Sequence, residues 1–257
     1  MTIKTPSPLR ERAGERVKQR IGILVAMPQE CRSLTAKRVP EGGLLALDEG
    51  VLLGLSGAGP EAAARCAALL FAQGATALLS WGCAAALDPA LKPGDLILPV
   101  SIIGADGQTL ATDPAWRARL AGLLEAKLPV CQGKLLENRR IVSSAQEKQA
   151  LFAATGAVAL DMESAAAARA ALDFKLPFLA VRSIVDPASI DIPPSIAAAF
   201  DENGVLHVGK MLGRALLRPV DFIGIIRLGR HFGAAMKTLQ TVAAIAYSAR
   251  FSSCNVS

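Results

Sequence analysis

Ile21-Gly22-Ile23-Leu24-Val25-Ala26-Met27 is apolar at every position. A strand with one wet face alternates apolar and polar side chains, so an unbroken apolar run fits a strand buried on both faces. Residues 51–55 (VLLGL) read the same way and feed Ser56-Gly57-Ala58-Gly59-Pro60. Pro60 suits a first helical turn, where its missing N–H has no partner to lose, and a helix is expected from 60 to about 73. Residues 76–81 (TALLSW) form the next strand, followed by a small-residue turn, Gly82-Cys83-Ala84-Ala85-Ala86.

Further outward, LKPGD turns into a strand at 95–100, and Asp113-Pro114 opens a helix over 113–126. A short strand at 139–143 and a short helix at 146–154 are expected next. Residues 157–160 lead into Asp161-Met162-Glu163 and an Ala-rich helix to about Leu172. Pro177 to Val185 forms a strand ending at Asp186-Pro187, and helices at 194–217 and 221–249 are broken near Pro219. Strands alternating with helices predict an α/β fold: three layers, α/β/α, around a central, twisted, mostly parallel mixed sheet. Functional groups in such folds collect at the carboxyl ends of strands, where Glu30, Ser56, Cys83, Asp161 to Glu163 and Asp186 all fall.

The 257 residues suit one large domain. Three parts are expected: a basic tail at 1–20, a catalytic domain at 21–217, and a basic amphipathic helical extension at 218–257. The net charge of +6 divides as +4 over 1–20, −4 over 21–208 and +6 over 209–257. The positive charge therefore sits at the ends rather than around strand-end residues, which argues against a nucleic-acid partner. No apolar run reaches the length of a membrane span, about 18 residues or more. The first 20 residues lack the apolar stretch of a secretory signal. Five scattered cysteines without CxxC spacing read as reduced thiols rather than a zinc site. A cytoplasmic location follows as an expectation, and neither a metal nor an organic cofactor is called for.

Several chemistries are excluded by what is missing. There are two histidines, His207 and His231, and no HExxH, Ser-centred GxSxG or P-loop. A small buried cysteine is the plainer reading of Cys83 than half of a Cys–His pair. Gly57-Ala58-Gly59-Pro60-Glu61-Ala62 fits a dinucleotide GxGxxA pattern, but Pro60 lies inside it and no acidic residue closes the next strand. It reads better as a tight turn whose free amides face an anion or hydroxyl. What remains are carboxylates at strand ends: Glu30, Asp161, Glu163 and Asp186. Taken singly each could cap a helix; taken together they suggest acid–base work on a polyhydroxylated substrate. Asp186, after an apolar strand, is the one expected to be partly desolvated and so usable as a proton donor near neutral pH.

Six stretches in order resemble the methylthioadenosine/adenosylhomocysteine nucleosidases and the hexameric-type purine nucleoside phosphorylases. They are residues 21–30, Ser56-Gly57-Ala58-Gly59, Gly82-Cys83-Ala84-Ala85, Leu91-Lys92-Pro93-Gly94-Asp95, Leu160-Asp161-Met162-Glu163-Ser164-Ala165 and Val181-Arg182-Ser183-Ile184-Val185-Asp186. The resemblance implies a phosphorylase/hydrolase-like fold and an enzyme that cleaves the bond between ribose and a purine. Asp186 would serve N7 of the base, Met162 would lie against the sugar, and Glu163 would bind its hydroxyls. Glu30 would activate the nucleophile, in a pocket lined by Ser56, Gly57, Gly82 and Cys83. Asp161 and Arg182 would stand behind these groups. A homo-oligomer is implied as well.

Three positions depart from the family pattern: Asp161 replaces a Glu, Val185 replaces a Ser, and the loop Ser143-Ser144-Ala145-Gln146-Glu147-Lys148 has no aromatic to stack on a base before Phe152. Phosphate needs cations, usually Arg; this chain has Ser80-Trp81-Gly82 where the phosphorylases carry one, so water is favoured over phosphate as the nucleophile. A narrower resemblance is to the hopanoid-associated phosphorylases, carried by VDPA at 185–188, DMES at 161–164, and Arg218-Pro219-Val220-Asp221-Phe222 followed by IIRLGR. It implies release of adenine from adenosylhopane, a lipid-linked nucleoside. Along 222–243, Phe222, Ile225, Phe232, Met236, Leu239 and Ala243 share one helical face, with Arg227, Arg230, His231 and Lys237 on the other. Such a helix can rest in a membrane interface or pack on the core. The rival readings are a phosphorylase or nucleosidase of a soluble nucleoside, and a non-catalytic nucleoside-binding module.

Overall fold

The computed structural model describes residues 19–193, 196 and 221–249. Its elements run β1 (Ile21–Val25), α1 (Pro28–Cys31), β2 (Leu44–Ala46), β3 (Val51–Leu55), α2 (Pro60–Ala72), β4 (Ala77–Ala86), β5 (Leu96–Ile97), β6 (Ser101–Ile103), β7 (Thr109–Ala111), α3 (Pro114–Leu124), β8 (Val130–Cys131), β9 (Lys134–Glu137), α4 (Ala145–Thr155), β10 (Ala157–Asp161), α5 (Ser164–Asp173), β11 (Phe178–Asp186) and α6 (Asp221–Ser248). The expected helix at 194–217 and the tail at 1–18 lie outside the described residues.

Among the described residues one sheet of 11 strands forms the middle layer, with the path β2-β3-β1-β4-β10-β9-β6-β7 and β11 pairing with β4 and β5. Pairing is parallel for β1 with β3 and β4, β4 with β11, and β9 with β10. It is antiparallel for β10 with β4 and for the hairpin β6–β7. The sheet is therefore mixed and mostly parallel, with helices on both faces.

The apolar run at 21–25 shows why both faces are covered. Leu24 joins α2 and α5 in one core, beside Ala63, Leu70, Ala165 and Ala171. Ile21, Ile23 and Val25 point the other way, into a second core with Trp116 and Leu120 of α3 and Leu239 and Val242 of α6. Each fully buried Leu or Ile contributes roughly 1.5–3 kcal/mol, so a strand apolar on both faces anchors two layers at once. α2 approaches β3 closely because Gly54 lacks a Cβ; one built there would lie 2.5 Å from Cys66 Sγ. α6 belongs to this body. Leu239 and Ala243, both on the apolar face read from sequence, are buried together with Ala235, Val242 and Ala246. No helix among the described residues is long and apolar enough to cross a membrane.

Two sequence expectations are corrected. Gly82 to Ala86 is not a turn: β4 continues to Ala86, held by β11 on one edge and by β10 at Ala85 and Ala86. Residues 139–143 are not a strand; the strand is β9, at 134–137, and Val142 is a loop side chain buried against Leu87 and Leu136.

Candidate active site at the strand ends

The ends of β1, β3, β4, β10 and β11 converge. β1 passes into α1, and Glu30 of α1 turns back beneath the end of β4. Its Oε1 accepts the Cys83 N–H at 2.7 Å, and its Oε2 accepts the Met27 N–H at 3.2 Å. Gly82 makes room for this seat: a Cβ there would stand 2.7 Å from Glu30 Oε1. Burial pushes the Glu30 carboxyl up from its ordinary range, while the Cys83 amide, Arg182 and the Met27 amide pull it back. The Cys83 thiol is pushed well up by burial and by Glu30, so it stays protonated. His231 lines the cavity beside Asp186 together with Arg227 and Leu228.

β3 ends in Ser56, whose hydroxyl lies 3.2 Å from Val25 O and 2.6 Å from Gly57 O and is thus taken up by its own turn. Gly57 and Gly59 carry positive φ, +82° and +94°, which L side chains adopt only with strain. The turn aims the Gly59 N–H at Glu163 Oε1, 2.9 Å away. That carboxylate occupies the helix-start amide that a dinucleotide's pyrophosphate would need, which removes the dinucleotide reading of the glycine pattern. Glu163 is buried, and Asp161 and Glu30 lie close enough to repel its charge. Burial first, and those carboxylates next, hold its carboxyl well above the usual range. Met162, beside it, is half-buried.

Asp161 and Arg182 form a buried ion pair at 2.7 Å. Arg182 Nε donates to Asp161 Oδ2, Nη2 to Ser80 and Ser164 hydroxyls at 2.6 and 2.9 Å, and Nη1 to the Val181 carbonyl. The shorter Asp161 is accommodated because Ser164 bridges it to the guanidinium, donating both its N–H and its hydroxyl to the Asp161 carboxylate. A buried charge pair holds only when the remaining donors are satisfied, and here four partners satisfy them. The pair locks β10 to β11 just behind Glu163.

Asp186 closes β11, opposite Ala85 of β4. Ser183 pairs with Cys83, so the Glu30 seat and Asp186 lie on neighbouring strands, offset along the strand direction by two residues of β4, about 7 Å at the usual strand rise. Burial pushes the Asp186 carboxyl up, against the pull of Lys148. The Lys148 ammonium is 2.7 Å from Asp186 Oδ2. Lys148 was missed in the sequence, where a lysine in a short polar helix reads as solvent-facing. Glu137 was missed too: it ends β9, is buried, and accepts the Ala166 N–H at 2.8 Å, capping α5 from outside. Phe152, the first aromatic after the stacking loop, packs beside Leu136 and Val142 in a minor core and not over the site.

The arrangement places three carboxyls with raised proton affinity, Glu30, Glu163 and Asp186, at one end of one sheet. A raised proton affinity lets a carboxyl hold and hand over a proton at a higher pH than a solvated one does. Among the described residues no cluster of His, Cys, Asp and Glu could hold a metal ion.

Comparison with known proteins agrees with this geometry. Futalosine hydrolase of Helicobacter pylori superposes with a TM-score of 0.66 at 20% identity, covering 91% of this chain and 98% of that one. The 5′-methylthioadenosine/S-adenosylhomocysteine nucleosidase of Neisseria meningitidis, in complex with methylthio-immucillin-A, superposes with a TM-score of 0.67 at 21% identity, covering 90% and 99%. The corresponding nucleosidase of Colwellia psychrerythraea, in complex with adenine, gives 0.61 at 23% identity over 77% and 96%. At these identities the likeness establishes the fold. No curated protein matches the sequence significantly. Residues 20–216 match the Phosphorylase superfamily, a span that contains every strand and every carboxylate of the site, and the chain belongs to that family.

Proposed function

We propose that this chain hydrolyses the N-glycosidic bond of a purine nucleoside, releasing adenine. Asp186 donates a proton or hydrogen bond to N7, which makes the base a better leaving group. Glu163 holds the ribose hydroxyls, and Met162 lies under the sugar as positive charge develops at C1′. Glu30 takes a proton from the attacking water. A carboxylate near the developing cation is stabilising in a dry site.

One observation carries the choice of water over phosphate. The guanidinium that acts on Glu30, Arg182, spends its donors on Asp161, Ser80, Ser164 and Val181. The Glu30 carboxylate fills the seat at Gly82 and Cys83, where an anion would be repelled. The structural relatives named as nucleosidases or hydrolases support the same reading.

A finer reading concerns the 5′ substituent. Ile190, Ile192, Pro193 and Leu228 line a cavity next to Asp186, and Ile223 and Ile226 at the start of α6 are 74% and 57% exposed. Arg227 and Arg230 follow them on the exposed side. These residues support a lipid-linked substrate such as adenosylhopane, reached from a membrane surface. The reading includes a homo-oligomer, for which exposed Leu69, Leu172 and Phe174 supply apolar surface.

The test is adenine release from adenosylhopane and from methylthioadenosine, each with and without phosphate. Release independent of phosphate is expected; strict dependence on phosphate would reverse the assignment of the nucleophile. Release from methylthioadenosine alone would make the substrate a soluble nucleoside and leave the exposed isoleucines to another role.

A further inference from the structure

Lys148 has no solvent exposure. Its ammonium donates to the carbonyls of Pro187 at 3.0 Å and Ile190 at 2.9 Å, and it stands 2.7 Å from Asp186 Oδ2. The Asp186 end is tied to the start of α4 at two more points. The Ala145 N–H donates to Asp191 Oδ1 at 2.7 Å, and the Ile192 N–H donates to the Ser143 carbonyl at 2.8 Å. Segment 186–192 is therefore wrapped around one buried cation.

We propose that Lys148 is a positioning residue for Asp186: its fixed charge stands against Oδ2 and sets the pH range over which Asp186 carries the proton. The inference rests on the reading of Asp186 as the acid. Two features separate it from a purely structural clamp. A neutral donor of similar length could hold the two carbonyls, but it would lower the proton affinity of the buried carboxyl through a hydrogen bond alone, whereas Lys148 brings a full positive charge 2.7 Å from Oδ2. The carbonyls also fix the ammonium: it cannot swing toward the substrate without losing both hydrogen bonds, so it acts as a stationary charge and not as the donor itself.

Among the described residues, the charged groups around Asp186 are few. Lys148 comes from α4, Asp191 from the following loop, and Arg227 and His231 from α6, which line the same cavity. On β4 the residue opposite is Ala85. Asp191 opposes Lys148, while burial works against the charged carboxylate. Lys148 is the one of these cations in direct contact with the Asp186 carboxylate.

Removing the cation raises the Asp186 pKa, so the alkaline limb of kcat/KM must move to higher pH. Lys148→Gln keeps hydrogen-bond donors for Pro187 and Ile190 and deletes the charge. Its alkaline limb is expected about 1–3 pH units above that of the wild type, the usual effect of one close opposite charge. Lys148→Arg keeps the charge and is expected within about half a unit of wild type, with a lower kcat because the planar fork fits the two carbonyls poorly. An unmoved limb in Lys148→Gln, with activity lost equally at every pH, would overturn the proposal in favour of a clamp. So would a limb in Lys148→Arg displaced by a unit or more, a comparison that stands even where the Gln variant does not fold. Asp186→Asn separates the underlying reading: if it keeps wild-type turnover, Asp186 is not the acid, whatever the Lys148 variants show.

Discussion

Glu30, in α1, and Asp186, closing β11, are both buried carboxylates at the same end of the sheet, yet the protein holds them by opposite means. Glu30 rests on two backbone N–H groups, from Cys83 and Met27. Asp186 rests on a full positive charge, Lys148. Backbone amides solvate a carboxylate without adding net charge, and they cannot move. They suit a group that must be ready to take a proton from water. A side-chain ammonium offsets the charge itself, and a single substitution can retune it. On the proposed roles, the same residue type is prepared for two directions of proton transfer by what surrounds it, which is the general pattern of paired carboxyl sites.

The sharpest way to test the Glu30 side is Glu30→Gln. Loss of a positioned base should lower kcat by about 10²–10⁴-fold. Adenine binding, measured by calorimetry, should survive, because the Gln carbonyl can still accept the Cys83 N–H. A variant that turns over normally would break the comparison at its base. A smaller effect is expected from Gly82→Ala, which leaves Asp186 and Lys148 untouched. The added methyl must displace the Glu30 carboxylate, 2.7 Å away, and overpacking of this kind costs about 1–3 kcal/mol. Thermal unfolding and kcat should fall together, with the alkaline limb unmoved. The smallest effect concerns pH and stability. Glu163 has a proton affinity raised on folding from an ordinary value of 4.5. The folded state therefore holds the proton longer than the unfolded one. This contribution is fully present below 4.5 and is lost as pH rises through neutrality. Scanning calorimetry should show Tm declining over that range, at about 2–4 °C per kcal/mol for a chain of this size, and Glu163→Gln should flatten the decline.

Much of the fold could be read because the strands at 21–25, 51–55 and 178–186 are buried on both faces, and total burial leaves a continuous apolar signature. The strand end at Gly82-Cys83-Ala84-Ala85-Ala86 was not readable. Small residues have weak intrinsic strand preference, and here pairing with β10 and β11 overrides it. Lys134 and Glu137 disguised β9 for a related reason: its two apolar residues, Leu135 and Leu136, are too few to set a period. At the site, Glu30, Glu163 and Asp186 were visible as carboxylates at strand ends. Lys148 was not, because its burial is created by segment 186–192, some forty residues away, folding over it. The order of strands could not be inferred either, since β4 pairs with elements from both halves of the chain.

That shared strand has a consequence for how the molecule opens. β4 is bonded to β1 along its first half, to β11 along its whole length, and to β10 at its tip. No single flanking element can peel away and free it. Its strand-paired amides should exchange with solvent only when the whole domain unfolds, while the Cys83 N–H, which donates to the Glu30 side chain, is freed by any motion that lifts α1 away. On the proposed assignment, the seat of the base and the strand that carries the acid are thus both anchored to the same slow-opening strand.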